Sequence, residues 1–205
     1  VFGFFNSLLS IFDQRDPSCI AVIMDSQVPT FRHELYPQYK ANREKAPQDL
    51  HQQVPIVEEI CRAMGVPVVQ KDGYEADDII ATLAGKCREE GRNCFIISGD
   101  KDLLQLVTDM VFVLKPEKGD YLEIDTQKVQ AKWGVSPDEI IDYLALTGDS
   151  SDNVPGVKGI GPKTASSLLQ KYHTLDKVYE NIGSLAKGIQ AKLTKEKEMA
   201  YQSRD

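Results

Sequence analysis

The chain has 205 residues, 41% of them hydrophobic, and a formal net charge of −7 at pH 7. This length supports one α/β domain with a small appended helical region. The four cysteines show neither the C-x-x-C spacing of a zinc site nor the density of a secreted disulfide scaffold. No apolar run approaches the roughly 20 residues that cross a bilayer, so we expect a soluble, intracellular protein.

The first 48 residues begin with a predicted helix and a predicted strand. Residues 4–12 have helical character, and residues 19–24 form a short apolar run that predicts a buried strand. Asp25 follows directly, so this strand would deliver a carboxylate at its C-terminal end. Residues 27–48 lack apolar periodicity and are rich in Arg, Lys and Tyr, which predicts an irregular or partly helical excursion.

Helices and strands then alternate. A helix is predicted over residues 50–64, with Pro55 near its start or at a kink and Gly65 as its stop. The elements that follow are a strand at residues 66–69, a helix that begins just after Tyr74 and a buried strand at residues 94–97. This order predicts an α/β fold with a mostly parallel central sheet flanked by helices and with carboxylates at the C-terminal edge of its strands.

The remainder of the chain changes from strands to helices. Residues 111–114 and 121–124 predict a pair of strands around the turn Lys118-Gly119-Asp120. The rest is helical apart from a glycine-rich stretch at residues 154–162. The predicted regions are therefore an α/β core over residues 1–125 and a helical region over residues 126–205.

Acidic residues concentrate at the ends of these predicted elements. Three acids fall within four positions at one helix start, where the helix dipole explains one or two of them but less well three. One acidic turn follows the strand at residues 94–97, and another follows a helix predicted at residues 139–147. Taken alone, each turn is explained more simply by capping aspartates than by a metal site. Coincidence explains the whole set poorly. Its members are Asp25, Glu75, Asp77, Asp78, Asp100, Asp102, Asp149 and Asp152.

The set consists of carboxylates, without histidine or cysteine. Such oxygen ligands favour a hard cation, Mg²⁺ or Mn²⁺, over zinc. Two such ions about 3.5–4 Å apart would stabilise both the attacking water and the leaving oxygen of a phosphodiester. The predicted reaction is phosphodiester hydrolysis.

Two basic segments accompany these acids. Residues 157–165 place two glycines before Pro162, which is a predicted first helical residue. Such a turn has free backbone amides, which together with Lys158 and Lys163 suit a phosphate. The alternative is a plain helical turn. Residues 31–43 interleave aromatic and basic side chains, as channels for single strands do; the alternative is a solvated charged loop.

Together these residues resemble the 5′ nuclease family, which includes the N-terminal 5′→3′ exonuclease domain of bacterial DNA polymerase I, phage 5′ exonucleases and flap endonucleases. The likeness to the polymerase I domain covers essentially the whole chain. It is carried by Glu-Ala-Asp-Asp at residues 75–78, Gly-Asp-Lys-Asp at residues 99–102 and the stretch at residues 148–165. It implies a PIN-like fold with a helical arch at residues 27–48 and a helix-three-turn-helix around residues 148–172.

The resemblance also implies roles for single residues. Asp25, Glu75 and Asp77 would bind one metal ion and Asp100, Asp102 and Asp152 a second, with Asp78 and Asp149 as ligands outside the first sphere or through water. Lys40 and Arg43 would engage the reacting phosphate or the flap. The implied DNA contacts are Arg32, Tyr36, Tyr39, Lys40 and Arg43 in the arch, and Lys158, Gly159, Gly161, Lys163 and Thr164 in the helix-three-turn-helix, where K⁺ often bridges carbonyls and a phosphate.

The implied function is structure-selective 5′→3′ exonuclease and 5′-flap endonuclease activity in primer removal and DNA repair. The expected partner is DNA with a 5′ flap, nick or 5′ end, bound by a monomer at the nucleoid in the bacterial cytoplasm; whether a polymerase domain follows stays open. Family members begin with a strand ending in Asp-Gly, whose aspartate joins the first metal site. This sequence starts after it, so the chain is a fragment, was numbered without its first segment or has lost a ligand, and we expect impaired activity of these 205 residues alone.

Two other functions stay open. A DNA-binding module that does not cut is favoured by the missing aspartate and opposed by the eight carboxylates, which would repel one another without metal. An RNA-cutting, toxin-type nuclease on the related fold predicts a shorter chain that lacks the glycine-rich stretch at residues 154–162.

Overall fold

The computed structural model describes residues 1–44, 46–117 and 119–204. Lys45 of the predicted arch and Lys118 of the predicted turn lie outside the described residues. The chain forms two compact units, which are Val1–Pro37 with Arg43–Ile80 (the first unit) and Gln38–Asn42 with Ala81–Asp205 (the second unit). Among the described residues, no helix combines the length and the apolar character that crossing a membrane requires.

The first unit combines a two-stranded parallel sheet with helices. Its elements are α1 (Phe2–Arg15), β1 (Val22–Ile23), α2 (Phe31–Leu35), α3 (Gln48–Ala63), β2 (Val68–Val69) and the beginning of α4 (Ala76–Glu89). Val22 pairs with Val68, and Ile23 pairs with Val69. The core contains Leu8, Val57, Cys61 and Val66, and the partly buried Val22 and Val68 pack against it.

Both strands of the first unit are shorter than predicted. The strand predicted at residues 19–24 is reduced to Val22 and Ile23, and the strand predicted at residues 66–69 is reduced to Val68 and Val69. Both residues of β1 are half-buried, and β1 pairs with β2 alone among the described strands. Pro55 lies inside α3, so the predicted position near the helix start is excluded. Gly65 follows the end of α3 with a φ of +75°, as a helix stop does.

The second unit contains a three-stranded sheet. β3 (Cys94–Ile97) pairs in parallel with β4 (Val111–Glu117), and β4 pairs antiparallel with β5 (Asp120–Ile124). Val111, Val113 and Leu114 of the central strand are buried. The three predicted strands of this unit are confirmed. The α/β class is also confirmed, although the strands form two separate ladders instead of one sheet.

The rest of the second unit is helical, as predicted. Helix α5 (Thr126–Trp133) is capped at its start by Asp125, whose carboxylate accepts the Lys128 N–H at 2.8 Å. Gly134, which has a φ of +72°, caps its end. A 3₁₀ turn precedes α6 (Ile140–Thr147), and α7 (Pro162–Tyr172) starts at the predicted proline. The last helices are α8 (Leu175–Glu180), α9 (Lys187–Lys195) and α10 (Lys197–Arg204).

The loop between α6 and α7 is closed by two glycines whose backbones touch. Gly148 and Gly156 have positive φ angles of +75° and +61°. A Cβ on Gly156 would overlap the Gly148 nitrogen, and a Cβ on Gly148 would lie 2.6 Å from the Val154 carbonyl oxygen. Asp149 and Val154 exchange two backbone hydrogen bonds of 2.7 Å inside the loop. This closure fixes the turn that carries Asp149 and Asp152.

We expect Gly156→Ala to destabilise the protein, because the new Cβ would overlap the Gly148 backbone and alanine disfavours a positive φ. Strain and overpacking of this kind together cost about 2–5 kcal/mol. The midpoint of urea unfolding, followed by circular dichroism, measures the loss. Gly183→Ala is the matched control, since nothing lies within 4 Å of a Cβ at Gly183. Equal midpoints for the two variants would contradict the role of the closure.

Candidate metal centre

Acids of the first unit surround the start of helix α4. The Asp25 carboxylate accepts the Ala76 N–H at 2.8 Å, and the Asp78 carboxylate accepts the Glu75 N–H at 2.9 Å. Amides in a first helical turn have no partner within the helix, so these carboxylates satisfy donors that α4 leaves open. Glu75 is buried, and Asp77 follows in the first turn. Capping therefore accounts for part of the acidic pattern at this helix.

Arg32 binds two of these acids. Its terminal nitrogens donate to both oxygens of Asp78 at 2.9 and 2.8 Å, and Nη1 lies 3.8 Å from Glu75. A bidentate pair of this kind fixes the guanidinium in position. The sequence predicted a DNA contact for Arg32, whereas in the structure its positive charge offsets the repulsion between Glu75 and Asp78.

Three carboxylates of the second unit lie together. Oxygen atoms of Asp102, Asp149 and Asp152 are all within 4.8 Å of one another, and we call this group the aspartate cluster. Asp102 opens the 3₁₀ helix Asp102–Leu106 after β3, and the other two acids come from the loop between α6 and α7. Among the described residues, the aspartate cluster does not include Asp100. The Asp100 carboxylate instead accepts the Asp102 N–H at 3.0 Å.

The Asp102 carboxylate is incompletely satisfied. Its Oδ1 is buried and has no hydrogen-bond partner among the described residues. Burial raises the pKa of Asp102 to about 7, with further contributions from the negative charges of Asp100 and Asp149. A buried carboxylate oxygen without a donor is costly unless a proton or a cation binds it. The aspartate cluster therefore fits a hard divalent cation such as Mg²⁺ or Mn²⁺.

Asp149 is held by a lysine and a serine. Lys101 Nζ lies 2.8 Å from Asp149 Oδ1, and the same oxygen accepts hydrogen bonds from the backbone N–H and the hydroxyl of Ser151. Burial raises the pKa of Asp149, but the hydrogen bonds from Lys101 and Ser151 outweigh burial, so the pKa lies below its ordinary value. Lys101 is not among the predicted site residues, because spacing alone does not show which acid its side chain reaches.

Residues 38–42, the part of the basic segment (residues 31–43) that belongs to the second unit, bind the loop between α6 and α7 at Asp152. The Tyr39 hydroxyl donates to the Asp152 carboxylate at 3.0 Å, and the Lys40 N–H donates to the Asp152 carbonyl at 2.9 Å. Lys40 Nζ lies 3.8 Å from the same carboxylate. The side-chain amides of Asn42 and Asn153 donate to the backbone carbonyls of Ser150 and Gln38 at 2.8 and 2.7 Å, which adds two hydrogen bonds between the segment and the loop. Lys40 is thereby placed beside the aspartate cluster.

These contacts leave little of the Tyr39 ring available to a nucleic-acid base. The residue is only 9% exposed, whereas stacking on a base needs an open ring face. Tyr36 is half-buried, and Arg43 is exposed. No sequence signal pointed to the hydrogen bond between Tyr39 and Asp152, because the two residues are 113 positions apart.

The glycine-rich turn before α7 exposes Gly159 and Gly161, whereas Val157 and Ile160 are buried. Gly161 is the N-cap of α7, and a Cβ there would meet nothing within 4 Å. The Gly159 carbonyl accepts a hydrogen bond from the Lys192 ammonium at 2.8 Å. The other predicted contacts are Lys158 and Lys163, both exposed, and Thr164, half-buried. First-turn amides at such a helix start attract anions.

Comparison with known proteins gives two family matches and several relatives. Residues 1–134 match the 5'-3' exonuclease, N-terminal resolvase-like domain, and residues 135–205 match the 5'-3' exonuclease, C-terminal SAM fold. DNA polymerase I of Treponema pallidum is 46% identical over 205 residues, which are 100% of this chain and 21% of that protein. A 5'-3' exonuclease of Aquifex aeolicus is 42% identical over 181 residues, which are 88% of this chain and 62% of that protein.

The chain spans about a fifth of the length of the DNA polymerase I relatives that it matches. Among solved structures, T5 5'-exonuclease with divalent metal ions (zinc) bound gives a TM-score of 0.85 at 22% identity, over 98% of this chain and 78% of that one. The T5 D15 flap endonuclease, in a pseudo-enzyme-product complex with DNA and metal ions, gives 0.84 at 21% identity over the same shares. These likenesses establish the fold, and the two family matches, which together cover every residue, show that the chain belongs to the 5'-3' exonuclease family.

Proposed function

We propose that this chain is a structure-selective 5′→3′ exonuclease and 5′-flap endonuclease that hydrolyses DNA phosphodiesters in primer removal and repair. The aspartate cluster, with its unpartnered buried oxygen, is the observation that carries the proposal. Membership of the 5'-3' exonuclease family supports this reaction class. The proposal includes action on bacterial DNA in the cytoplasm, as a monomer, with a polymerase region as the covalent partner. The names of the DNA polymerase I relatives support the DNA substrate and the polymerase region.

Each unit would hold one divalent ion. The proposed ligands in the first unit are Asp25, Glu75 and Asp77, with Asp78, already bound to Arg32, acting through water. The resemblance implies Asp100, Asp102 and Asp152 as ligands in the second unit and places Asp149 outside the first sphere. Because Asp149 lies within the aspartate cluster, we include it among the proposed direct ligands. Mg²⁺ or Mn²⁺ bound there would activate a water and stabilise the leaving oxygen of the phosphodiester.

Residues of the basic segment would hold the reacting phosphate. The Lys40 ammonium lies 3.8 Å from Asp152, so a phosphate that reaches the aspartate cluster meets a cation beside a metal ligand. Arg43, which is exposed, would engage the same phosphate or the flap. Tyr39 would act through Asp152, because its hydroxyl fixes the orientation of that carboxylate.

The helical region at residues 126–205 would bind the uncut duplex, and the arch at residues 27–48 would receive the 5′ strand. Backbone amides at the start of α7, together with Lys158, Lys163 and Thr164, suit a phosphate and read no base. The proposed K⁺ would bridge carbonyls of this turn and a DNA phosphate. The Gly159 carbonyl already accepts Lys192, so the other carbonyls of the turn are the ones proposed for K⁺.

A protein that binds DNA junctions without cutting them is the second candidate. The internal cations favour it, because Arg32 pairs with Asp78 and Lys101 pairs with Asp149, so that the chain itself supplies a counter-charge to an acid in each unit. Metal-dependent cleavage separates the two candidates.

We expect the chain to cut a labelled 5′-flap duplex near the flap junction in Mg²⁺ or Mn²⁺ and not in EDTA. Asp152→Asn should lower the single-turnover rate about 100-fold or more, because several kcal/mol of metal-assisted stabilisation are lost. Duplex binding, measured by fluorescence anisotropy, should be retained. Asp109→Asn removes the same charge at an exposed position and should cut normally. Junction binding by the unmodified chain without any cutting would favour the second candidate.

Without metal, the stability of the protein should fall as the pH rises from about 4 to about 7. Asp102 has a pKa of about 7 in the folded protein, against about 3.9 in an unfolded chain. The folded state therefore binds more protons across this interval and loses that advantage as the pH rises. The pKa of Asp142 is also raised, chiefly by burial, so Asp102→Asn should flatten the slope without abolishing it. Melting temperatures in EDTA, measured by circular dichroism, test this, and identical slopes would contradict it.

Gly161→Val should weaken binding of the flap duplex about tenfold, equivalent to about 1.4 kcal/mol, because the branched side chain blocks the approach of a phosphate to the α7 amides. The free energy of unfolding should fall by no more than about 1 kcal/mol, the usual cost of replacing a preferred N-cap residue, since a Cβ at this position meets no atom within 4 Å. Gly183→Val, at another open position, is the control. Equal anisotropy titrations for both variants would remove this turn from the proposed DNA interface.

A further inference from the structure

Lys101 forms an ion pair with Asp149. The residue stands between Asp100 and Asp102, and its Nζ lies 2.8 Å from Asp149 Oδ1. The Asp149 side chain is 7% exposed and that of Lys101 is 38% exposed. The ammonium thus reaches inward to a buried carboxylate while the rest of the side chain meets solvent. The roles proposed above for metal ligands and phosphate contacts do not include this lysine.

The aspartate cluster needs positive charge when no metal is bound. Ionised carboxylates whose oxygens lie within 4.8 Å of one another repel, and partial burial strengthens the repulsion. Lys101 supplies one full charge at the oxygen of Asp149 that also accepts two hydrogen bonds from Ser151. The ammonium therefore takes part of the electrostatic role that a divalent ion would have in the same cluster.

The Lys101 side chain also borders open space. A cavity of about 330 Å³ is lined by Gly99, Asp100, Lys101 and Ser151. A lysine side chain has four flexible methylene groups, so its ammonium can leave Asp149 for this solvent-open cavity without repacking of the core. Departure of the ammonium would leave Asp149 Oδ1 with its two serine hydrogen bonds, which keep the carboxylate oriented.

We propose that Lys101 is a tethered counter-ion of the aspartate cluster, which stabilises the metal-free protein and competes with the divalent cation for Asp149. Lys101 is then a positioning residue that keeps the metal affinity of the second unit low. This inference rests on the proposed function, because it requires that the aspartate cluster binds a divalent ion.

The test compares Lys101→Met and Lys101→Arg with the unmodified chain. In EDTA at pH 8, Lys101→Met should melt at a lower temperature, because the cluster loses its counter-ion. Its affinity for Mn²⁺, measured by isothermal titration calorimetry without DNA, should rise about tenfold, the factor that corresponds to one modest charge interaction. Saturating Mn²⁺ should remove the difference in melting temperature. Lys101→Arg keeps the charge and should match the unmodified chain in both measurements.

A purely structural role for Lys101 predicts the opposite change in affinity. If the lysine only held the loop in shape, Lys101→Met would loosen the cluster and bind Mn²⁺ more weakly, and that result would overturn the inference. An unchanged melting temperature in EDTA would overturn it as well, and so would tighter binding by Lys101→Arg.

Asp152→Asn separates this inference from the proposed function. If the unmodified chain binds Mn²⁺ no more tightly than Asp152→Asn, the metal centre of the second unit is wrong, and competition for it is wrong too. If the unmodified chain binds one Mn²⁺ ion more than Asp152→Asn, which keeps the proposed site of the first unit, the metal centre of the second unit stands, and the Lys101 variants alone decide the counter-ion.

Discussion

Repulsion among carboxylates is the constraint on which the second unit depends. Oxygens of the aspartate cluster lie within 4.8 Å of one another, at a site from which water is partly excluded. Three features offset this repulsion: the pKa of Asp102 rises to about 7, Lys101 pairs with Asp149, and the Tyr39 hydroxyl donates to Asp152. A divalent ion can replace the proton and the lysine together, so the same electrostatics connects stability, pH and metal binding.

The backbone that gathers these acids depends on glycine. Gly148 and Gly156 approach so closely that neither tolerates a Cβ, and the closed loop between them presents Asp149 and Asp152 on one turn. Tyr39 and Lys40 attach to this turn through Asp152. A movement of residues 38–42 must therefore strain or break hydrogen bonds to a proposed metal ligand, which couples the position of Lys40, proposed to hold the phosphate, to the geometry of the cluster.

Much of the fold followed from local pattern. The strands β3, β4 and β5 lie where apolar runs placed them, and α7 begins at the predicted proline, because periodicity and capping are properties of short stretches of chain. β1 is shorter than its apolar run, because strand length depends on a pairing partner that the run does not specify. The carboxylate set was also visible, whereas the buried ring of Tyr39 and the ion pair of Arg32 were not.

The sequence by itself determined the family, the α/β class and the chemical character of the site, because motif spacing and an all-carboxylate ligand set can be recognised without coordinates. Only the tertiary structure decided which acids meet and what neutralises them. Arg32 and Asp78 are 46 positions apart, and Tyr39 and Asp152 are 113 apart. An ion pair or a hydrogen bond requires atoms within a few ångströms of each other. Sequence spacing does not specify such a distance for residues that are this far apart along the chain, so the folded structure determines these partners.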